Sequence, residues 1–301
     1  ARCNNGAALS MDLSHSGISL LLVFIAASVS VVRASVGETF RECKQFMYKG
    51  TPPAGLTDDS LLKICQHYNN RPRFATLYDA KKRIPVYSAY TFKKSDGEKR
   101  VNFPWMYEPQ LSSMTGTNNM QPFPRGGSEV RIEESQAVLQ DYSDAILYER
   151  GPLNPDQHQA SPSDKAATYT LTNIVPQVKE FYNRHWSAYV DSVRKRFNNY
   201  CNGKAYIVTG VTTSGNTIRR ENTDRVGIPK YIWSAYCCPN YDLNAPYDVR
   251  YKFPTFAAYG LNEVVNNFVT EVSPRKLETL LKREMNVDQD FQLFYRDCVA
   301  D

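Results

Sequence analysis

The sequence predicts an α+β fold with a central antiparallel sheet, flanking helices and long loops. Strand-like and amphipathic segments follow one another along the chain, the most strand-like being 205–213 and the clearest helix 183–200. Stretches rich in Pro, Gly, Ser and Asn separate these segments. Because no internal repeat or break in composition divides the chain, we expect one domain from about residue 38 to residue 301.

The first 34 residues, 1–34, are predicted to be a leader that ends in a signal peptide. Met11 begins a polar stretch, an apolar run follows from residue 18 to residue 32, and Val32-Arg33-Ala34 forms a cleavage site. The apolar run is shorter than the about 20 residues of a membrane-spanning helix, although an uncleaved anchor is the alternative. Cleavage predicts a secreted, extracellular protein that is not held at a membrane.

The cysteines agree with a secretory route. An even number of them remains after the leader, which predicts three disulfide bonds. Zinc binding is the weaker alternative, because no Cys-x-x-Cys is present. Cys43 and Cys65 are close in sequence and are expected to pair, whereas the other pairings stay open. The cysteines after the leader are Cys43, Cys65, Cys201, Cys237, Cys238 and Cys298.

Charge and composition are those of an ordinary globular protein, with 42% hydrophobic and 22% charged residues. The net charge of +5 becomes +4 without the leader, which removes two arginines and one aspartate. This value is compatible with a polyanionic partner but does not require one. Basic clusters could contact phosphates, with a solvated surface as the alternative. They are Lys93, Lys94, Lys99 and Arg100, then Arg194-Lys195-Arg196, then Arg219-Arg220.

The first half of the domain is predicted to hold a helix over 60–68 and then a hairpin. Strands over 84–92 and 99–105 are joined by a Ser-Asp-Gly turn at 95–97. A long loop follows over 106–127, and a helix is predicted over 133–142.

The second half begins with a strand over 145–148 that leads into Glu149-Arg150-Gly151. A second strand over 167–174 is expected to stop at Pro176, and the helix over 183–200 follows it. The order is therefore strand, loop, strand, helix. Later strands are predicted over 205–213 and 231–236, and Ser273-Pro274 begins a last helix.

Two motifs stand out, Glu149-Arg150-Gly151-Pro152 and Asn173-Ile174-Val175-Pro176-Gln177. They resemble the Asp-Arg-Gly-His and Asn-x-x-Pro-Gln segments of the DNA/RNA non-specific endonuclease family, the ββα-metal (His-Me finger) nucleases. Segments 78–90 and 205–211 and the strand around Trp233 are also similar to that family, so the resemblance covers nearly the whole domain. It implies the family's fold, DNA or RNA as partner, and Mg²⁺-dependent phosphodiester hydrolysis.

The resemblance also implies a role for each matching residue. In the family a neutral histidine accepts a proton from water, and an arginine holds the phosphate. Arg150 matches that arginine, Glu149 stands for the family's aspartate, and Asn173 matches an asparagine that supports the site. Pro152 falls on the general-base histidine, and its ring has no side-chain nitrogen that could accept a proton.

The metal position differs as well. The family's metal-binding asparagine lies nine residues after the first Asn of Asn-x-x-Pro-Gln and four before a Trp. This spacing places Tyr182 in the metal slot, with Trp186 fixing the register. Asn183 is one residue further, a rotation of about 100° on a helix, so it reaches a metal only if the chain bulges.

We therefore predict a nucleic-acid-binding protein with weak or lost hydrolysis, in which Arg150, Lys93 and Lys94 contact the substrate. Loss of a positioned base typically reduces the rate by about 10²–10⁴-fold. The first alternative is an active Mg²⁺-dependent endonuclease that uses His158 or His185 with Asn183 as metal ligand. The second alternative is an extracellular interaction protein that does not bind nucleic acid. Mg²⁺ is expected only if the protein is active, and the oligomeric state stays open.

Overall fold

A computed structural model describes residues 35–56, 58–98, 102–124 and 130–299, so the predicted leader lies outside the described residues. Its largest feature is an antiparallel sheet of eight strands in the order β1-β2-β3-β4-β9-β10-β11-β12. Two smaller pairs, β5 with β6 and β7 with β8, lie apart from it. The strands are β1 (Val36–Gly37), β2 (Leu62–Tyr68), β3 (Arg71–Asp79), β4 (Ile84–Thr91), β5 (Met106–Tyr107), β6 (Gln121–Pro122), β7 (Tyr148–Pro152), β8 (Ile174–Val178), β9 (Tyr206–Arg220), β10 (Thr223–Cys237), β11 (Thr255–Leu261) and β12 (Val269–Val272).

The helices are mostly short, and one begins with an unusual turn. A π-helical segment over Phe181–Trp186 runs directly into the longest helix, α4. Pro274 begins α6 with Ser273 as its N-cap, as the sequence predicts. The α-helices are α1 (Pro109–Ser112), α2 (Val130–Ser135), α3 (Pro162–Ala167), α4 (Ser187–Tyr200), α5 (Tyr247–Arg250) and α6 (Pro274–Glu284).

The large sheet is covered on both faces, because successive side chains of a strand point to opposite sides. In β10, Ile232 and Tyr236 pack with Phe197 of α4, while Trp233 packs with Leu277 of α6 on the other face. The β7–β8 pair belongs to the α4 side. The predicted α+β class with a central antiparallel sheet is therefore confirmed.

All three predicted disulfides form, and Cys43 pairs with Cys65 as expected. Cys237 and Cys238 are adjacent and point to opposite faces of the sheet. Cys238 bonds Cys201 at the end of α4, whereas Cys237 bonds Cys298 near the C-terminus. These two disulfides therefore attach β10 to the structure on each face of the sheet, one on the α4 side and one on the α6 side.

Two predicted elements in the first half are wrong. Residues 62–68 form β2, not a helix. A short apolar run is compatible with both the helical and the strand period, and pairing with β1 and β3 decides the structure. The strand over 84–92 exists as β4, but its partners are β3 and β9, not 99–105. Residues 99–101 lie outside the described residues, and 102–105 are irregular. The turn at 95–97 is part of a loop.

Other boundaries also differ. The predicted helix over 133–142 is divided into α2 and a 3₁₀ turn, and the predicted loop over 106–127 contains β5, α1 and β6. Residues 167–173 form no strand, and the second strand is β8, which includes Pro176. A proline is tolerated there because β8 lies in a two-stranded ribbon, where one edge needs no ladder hydrogen bond.

Among the described residues, no helix is both long enough and apolar enough to span a membrane.

Candidate active site

Both motifs meet on the β7–β8 ribbon. β7 carries residues 149–152, and β8 begins directly after Asn173. The antiparallel register places Glu149 opposite Gln177 and Pro152 opposite Ile174. The π-helical segment and α4 follow β8 after two residues. The strand, strand, helix order that the sequence predicts is therefore present.

Gly151 allows the two motifs to pack together. A Cβ atom at this position would lie 2.2 Å from the side-chain carbon Cδ of Gln177, which is far closer than any real contact. Gln177 is fully buried against the glycine. The two motifs therefore pack directly against each other at Gly151 and Gln177.

Asn173 is held by four hydrogen bonds and is fully buried. Its Oδ1 accepts from the Ser88 hydroxyl and from the Asn154 backbone N–H, both at 2.9 Å. Its Nδ2 donates to the carbonyls of Asn154 at 2.9 Å and Thr168 at 3.0 Å. The side chain therefore fixes the chain on either side of the motif and has no atom left for a ligand.

A cleft of about 320 Å³ opens between β7 and the π-helical segment. The Arg150 guanidinium lies inside it, 4.9 Å from the centre of the Trp105 ring, a cation–π contact that holds the fork in place. Glu149 is half exposed, and its carboxylate is 4.0 Å from the Lys179 ammonium. The lining residues are Trp105, Glu149, Arg150, Pro152, Asp156, Thr168, Tyr169, Ile174, Tyr182 and Asn183.

Pro152 and Tyr182, the two positions predicted to depart from the family's motifs, both line this cleft. Tyrosine is neutral at pH 7 with its ordinary pKa, and burial, followed by the carboxylates of Asp156 and Glu149, raises the pKa of Tyr182 further, to about 12. A second space of about 160 Å³ adjoins the cleft and shares both residues as lining. Pro152 therefore leaves room beside it that a larger side chain could enter.

Asn183 also lines the cleft, beside Tyr182. A π-helical turn takes about one residue more than an α-helical turn. The segment over Phe181–Trp186 is thus a bulge of the kind that an Asn183 ligand would require. Asn183 itself is exposed.

The two histidines of the alternative prediction do not line the cleft. His158 is buried, with 3% of its surface exposed. Its Nε2–H donates to the Val190 carbonyl at 2.9 Å, and its Nδ1 accepts from the Tyr90 hydroxyl at 3.0 Å. Burial lowers the pKa of His158 to about 4, so it is a neutral core residue whose lone pair is occupied. His185 packs on the Phe268 ring, with 5.0 Å between the ring centres.

Neither lysine predicted to bind substrate lines the cleft. The Lys93 ammonium lies 2.7 Å from Asp164, which also pairs with Arg73 at 3.0 Å. Lys94 is exposed. The geometry brings Arg150, Glu149, Pro152, Tyr182 and Asn183 together, but it leaves the lysines outside this group.

The cleft residues do not fit a Mg²⁺ site as they stand. Mg²⁺ prefers several oxygen ligands in octahedral geometry. The Tyr182 phenol is neutral, and the buried Asp156 carboxylate accepts a hydrogen bond from the Tyr169 hydroxyl at 2.8 Å. The described residues contain no group of three or more His, Cys, Asp or Glu that could hold a metal.

Sequence reasoning missed Trp105, Asp156 and Tyr169. Trp105 lies 45 positions before Arg150, so no local pattern connects the two. Asp156 sits four residues after Pro152, and its acidic character near the motif was the one signal available.

Comparisons with known proteins identify the family of this chain. The family model for the DNA/RNA non-specific endonucleases matches residues 54–287. This chain therefore belongs to the DNA/RNA non-specific endonuclease family, and its α+β fold is the fold of that ββα-metal family.

Within the family the chain is similar to two curated relatives, each named endonuclease domain-containing 1 protein. The human protein is 35% identical over 217 residues and the mouse protein 34% over 205 residues. Each match covers 66% of this chain but only 39% of the relative, so the chain spans about two fifths of their length.

A solved structure, described as the crystal structure of the EndoG/EndoGI complex, is similar over 78% of this chain and 87% of that chain. Its TM-score is 0.49 and its sequence identity 15%.

Proposed function

We propose that this chain is a secreted member of the endonuclease family that binds DNA or RNA in the β7–β8 cleft and hydrolyses it weakly or not at all. The observation that carries the proposal is that Arg150 and Pro152 line the same cleft. The Arg150 guanidinium, a group suited to binding phosphate, is held by Trp105. The position that should accept a proton from water is a proline ring.

The surroundings of Pro152 support the loss of hydrolysis. His158 is buried with both ring nitrogens bonded, and His185 packs on Phe268 outside the cleft. Tyr182 replaces the asparagine that holds the metal in the family, and its neutral phenol is a poor ligand for Mg²⁺. Losing base and metal together removes both proton transfer and charge stabilisation of the transition state.

Secretion is supported by the three disulfides, since such bonds persist in oxidising compartments. Detection of the mature protein in the medium of expressing cells tests this part. Retention of all the protein inside the cells would contradict it.

Binding is tested by fluorescence anisotropy with a labelled oligonucleotide in EDTA. Arg150→Ala should weaken binding by about fivefold to tenfold and lower the slope of log K against log salt by about one, because one phosphate contact is lost. Arg184→Ala is the matched control: this arginine is 72% exposed, pairs with Glu180 at 3.0 Å and does not line the cleft. Equal binding by the two variants would contradict a phosphate site at Arg150. A complete lack of binding by the unmodified protein would favour the extracellular interaction protein.

The exposed position of Asn183 in the cleft favours a second candidate, a Mg²⁺-dependent endonuclease with Asn183 as ligand. If it is correct, the purified protein nicks plasmid DNA with Mg²⁺, and Asn183→Ala abolishes the nicking.

A further inference from the structure

We propose that Glu108 and Gln110 form a buried receptor for the α-amino group of Ser35, which is freed when the leader is cleaved after Ala34. The mature N-terminus would then be an internal part of the fold. This inference goes beyond the proposed function of the cleft, and it rests on the secretory leader proposed there.

Ser35 is almost fully buried, with 2% of its surface exposed. Its backbone nitrogen donates to Gln110 Oε1 at 2.5 Å, and its hydroxyl donates to Glu108 Oε1 at 2.8 Å. The same hydroxyl is 2.9 Å from Gln110 Oε1. The Ser35 carbonyl accepts from the Cys65 backbone N–H at 2.7 Å, next to the β1–β2 pair. Both polar ends of Ser35 thus point into the protein.

The receptor contains a carboxyl group that pairs with no cation among the described residues. Glu108 is fully buried, and its Oε2 has no hydrogen-bond partner in the described structure. Burial raises the pKa of Glu108 to about 8, although the hydrogen bond from the Ser35 hydroxyl acts in the opposite direction. A buried carboxylate is costly unless a cation pairs with it. Glu108 therefore fits a positive partner that the uncleaved backbone cannot supply.

The receptor is also rigid. The Gln136 side chain accepts from the Glu108 backbone N–H at 2.8 Å and donates to the Glu108 carbonyl at 2.9 Å. The Gln110 Nε2 donates to the Gly116 carbonyl at 3.1 Å, so the amide presents its Oε1 to Ser35. Gln136 is fully buried, and Gln110 is 7% exposed. The acceptors are thus held in place around the Ser35 nitrogen.

Cleavage changes the chemistry of that nitrogen. A signal peptidase hydrolyses the Ala34–Ser35 peptide bond with one water molecule. Ala34 gains a carboxylate, and the Ser35 amine takes up a proton. An amide with one N–H then becomes an ammonium with three donors and a positive charge. One donor retains the bond to Gln110, and another is free for the unpartnered Oε2 of Glu108, which can then ionise.

The first measurement is the N-terminal sequence and intact mass of the protein secreted by cells, which should begin at Ser35. Periodate oxidises an N-terminal serine, and the folded protein should react about tenfold or more slowly than the unfolded protein, because the group is buried. A different mature N-terminus would overturn the cleavage at Ala34 and with it the receptor. Fast oxidation of the folded protein, by contrast, would overturn the receptor alone.

The second measurement is a cycle of thermal unfolding. A variant with one glycine inserted between Ala34 and Ser35 should mature with an extra residue and lose about 5 °C or more of Tm, because the ammonium is displaced from Glu108. In a Glu108→Gln background the insertion should change Tm far less. Glu38→Gln, which alters an exposed carboxylate nearby, is the control and should retain the full effect. An insertion effect that is equal in both backgrounds would overturn the ion pair.

Discussion

Pro152 is predicted from the motif to occupy the place where the family keeps a proton acceptor, and it lines the same cleft as Arg150, a side chain of the type that binds phosphate. Binding and proton transfer are separate chemical demands, so one substitution can remove the second and leave the first. We propose a second loss at Tyr182, whose phenol is neutral at pH 7. The nearest imidazole in sequence, His158, has become part of the core.

The burial of His158 predicts a pH dependence of stability. Its pKa falls from 6.5 in the unfolded chain to about 4 in the folded protein, so the unfolded state binds the proton first as the pH decreases. The stabilisation that neutral His158 provides is complete above pH 6.5 and is lost as the pH falls toward 4. By pH 4.5 the free energy of unfolding has fallen by about 2–3 kcal/mol.

The measurement is urea unfolding from pH 7.5 to pH 4.5 for the unmodified protein and for His158→Gln. Glutamine can keep the donor to the Val190 carbonyl but cannot titrate, so the variant should lose less stability over this range. Identical pH slopes for the two proteins would show that His158 does not titrate as a buried group.

At the scale of the elements, the β7–β8 ribbon is held together by the contact between Gly151 and Gln177. Gly151→Ala should lower the free energy of unfolding by about 2–3 kcal/mol, because the added methyl overlaps a buried side chain. Gly37→Ala is the control, since a Cβ there meets nothing within 4 Å. Urea denaturation measures both, and a similar small change in the two variants would contradict this packing.

The elements also show what local sequence can and cannot predict. The motif segments fixed the order strand, strand, helix, because each carries residues whose packing is local to the ribbon. β2 was predicted as a helix because its apolar spacing fits both periods, and only pairing with distant strands resolves it. β4 finds its partner β9 more than 100 residues away, which a nearby turn signal concealed. The π-helical segment overlaps the start of the predicted helix and begins two residues before it, and no propensity marks the extra residue.

At the scale of the whole molecule, the adjacent residues Cys237 and Cys238 form disulfides on opposite faces of the large sheet. Removing either bond, by Cys201→Ala with Cys238→Ala or by Cys237→Ala with Cys298→Ala, should lower the free energy of unfolding by about 3–4 kcal/mol, because the closed loops are long. Well below Tm, loss of the Cys237–Cys298 bond should leave oligonucleotide binding unchanged, since Cys237 lies on the face opposite α4. Chemical denaturation and anisotropy check the two outcomes. Lost binding in this folded variant would show that the layers are coupled.

The candidate site could be located from sequence, but its full membership could not. Arg150, Pro152 and Tyr182 were found because the family motif fixes their spacing. Trp105 and Tyr169 enter the cleft only through the folded chain, since nothing in their local sequence relates them to β7. Lys93 illustrates the opposite case: its charge suggested phosphate binding, but Asp164 already pairs with it.

We propose that the residues at two positions, Pro152 and Tyr182, limit catalysis in an otherwise retained site. The direct test is plasmid nicking with Mg²⁺ by the unmodified protein and by Pro152→His combined with Tyr182→Asn, for which the space beside Pro152 leaves room. We expect little or no nicking by the unmodified protein and a gain of about 10²-fold or more in the double variant, sensitive to EDTA. Robust Mg²⁺-dependent nicking by the unmodified protein, or no gain in a folded double variant, would contradict the claim.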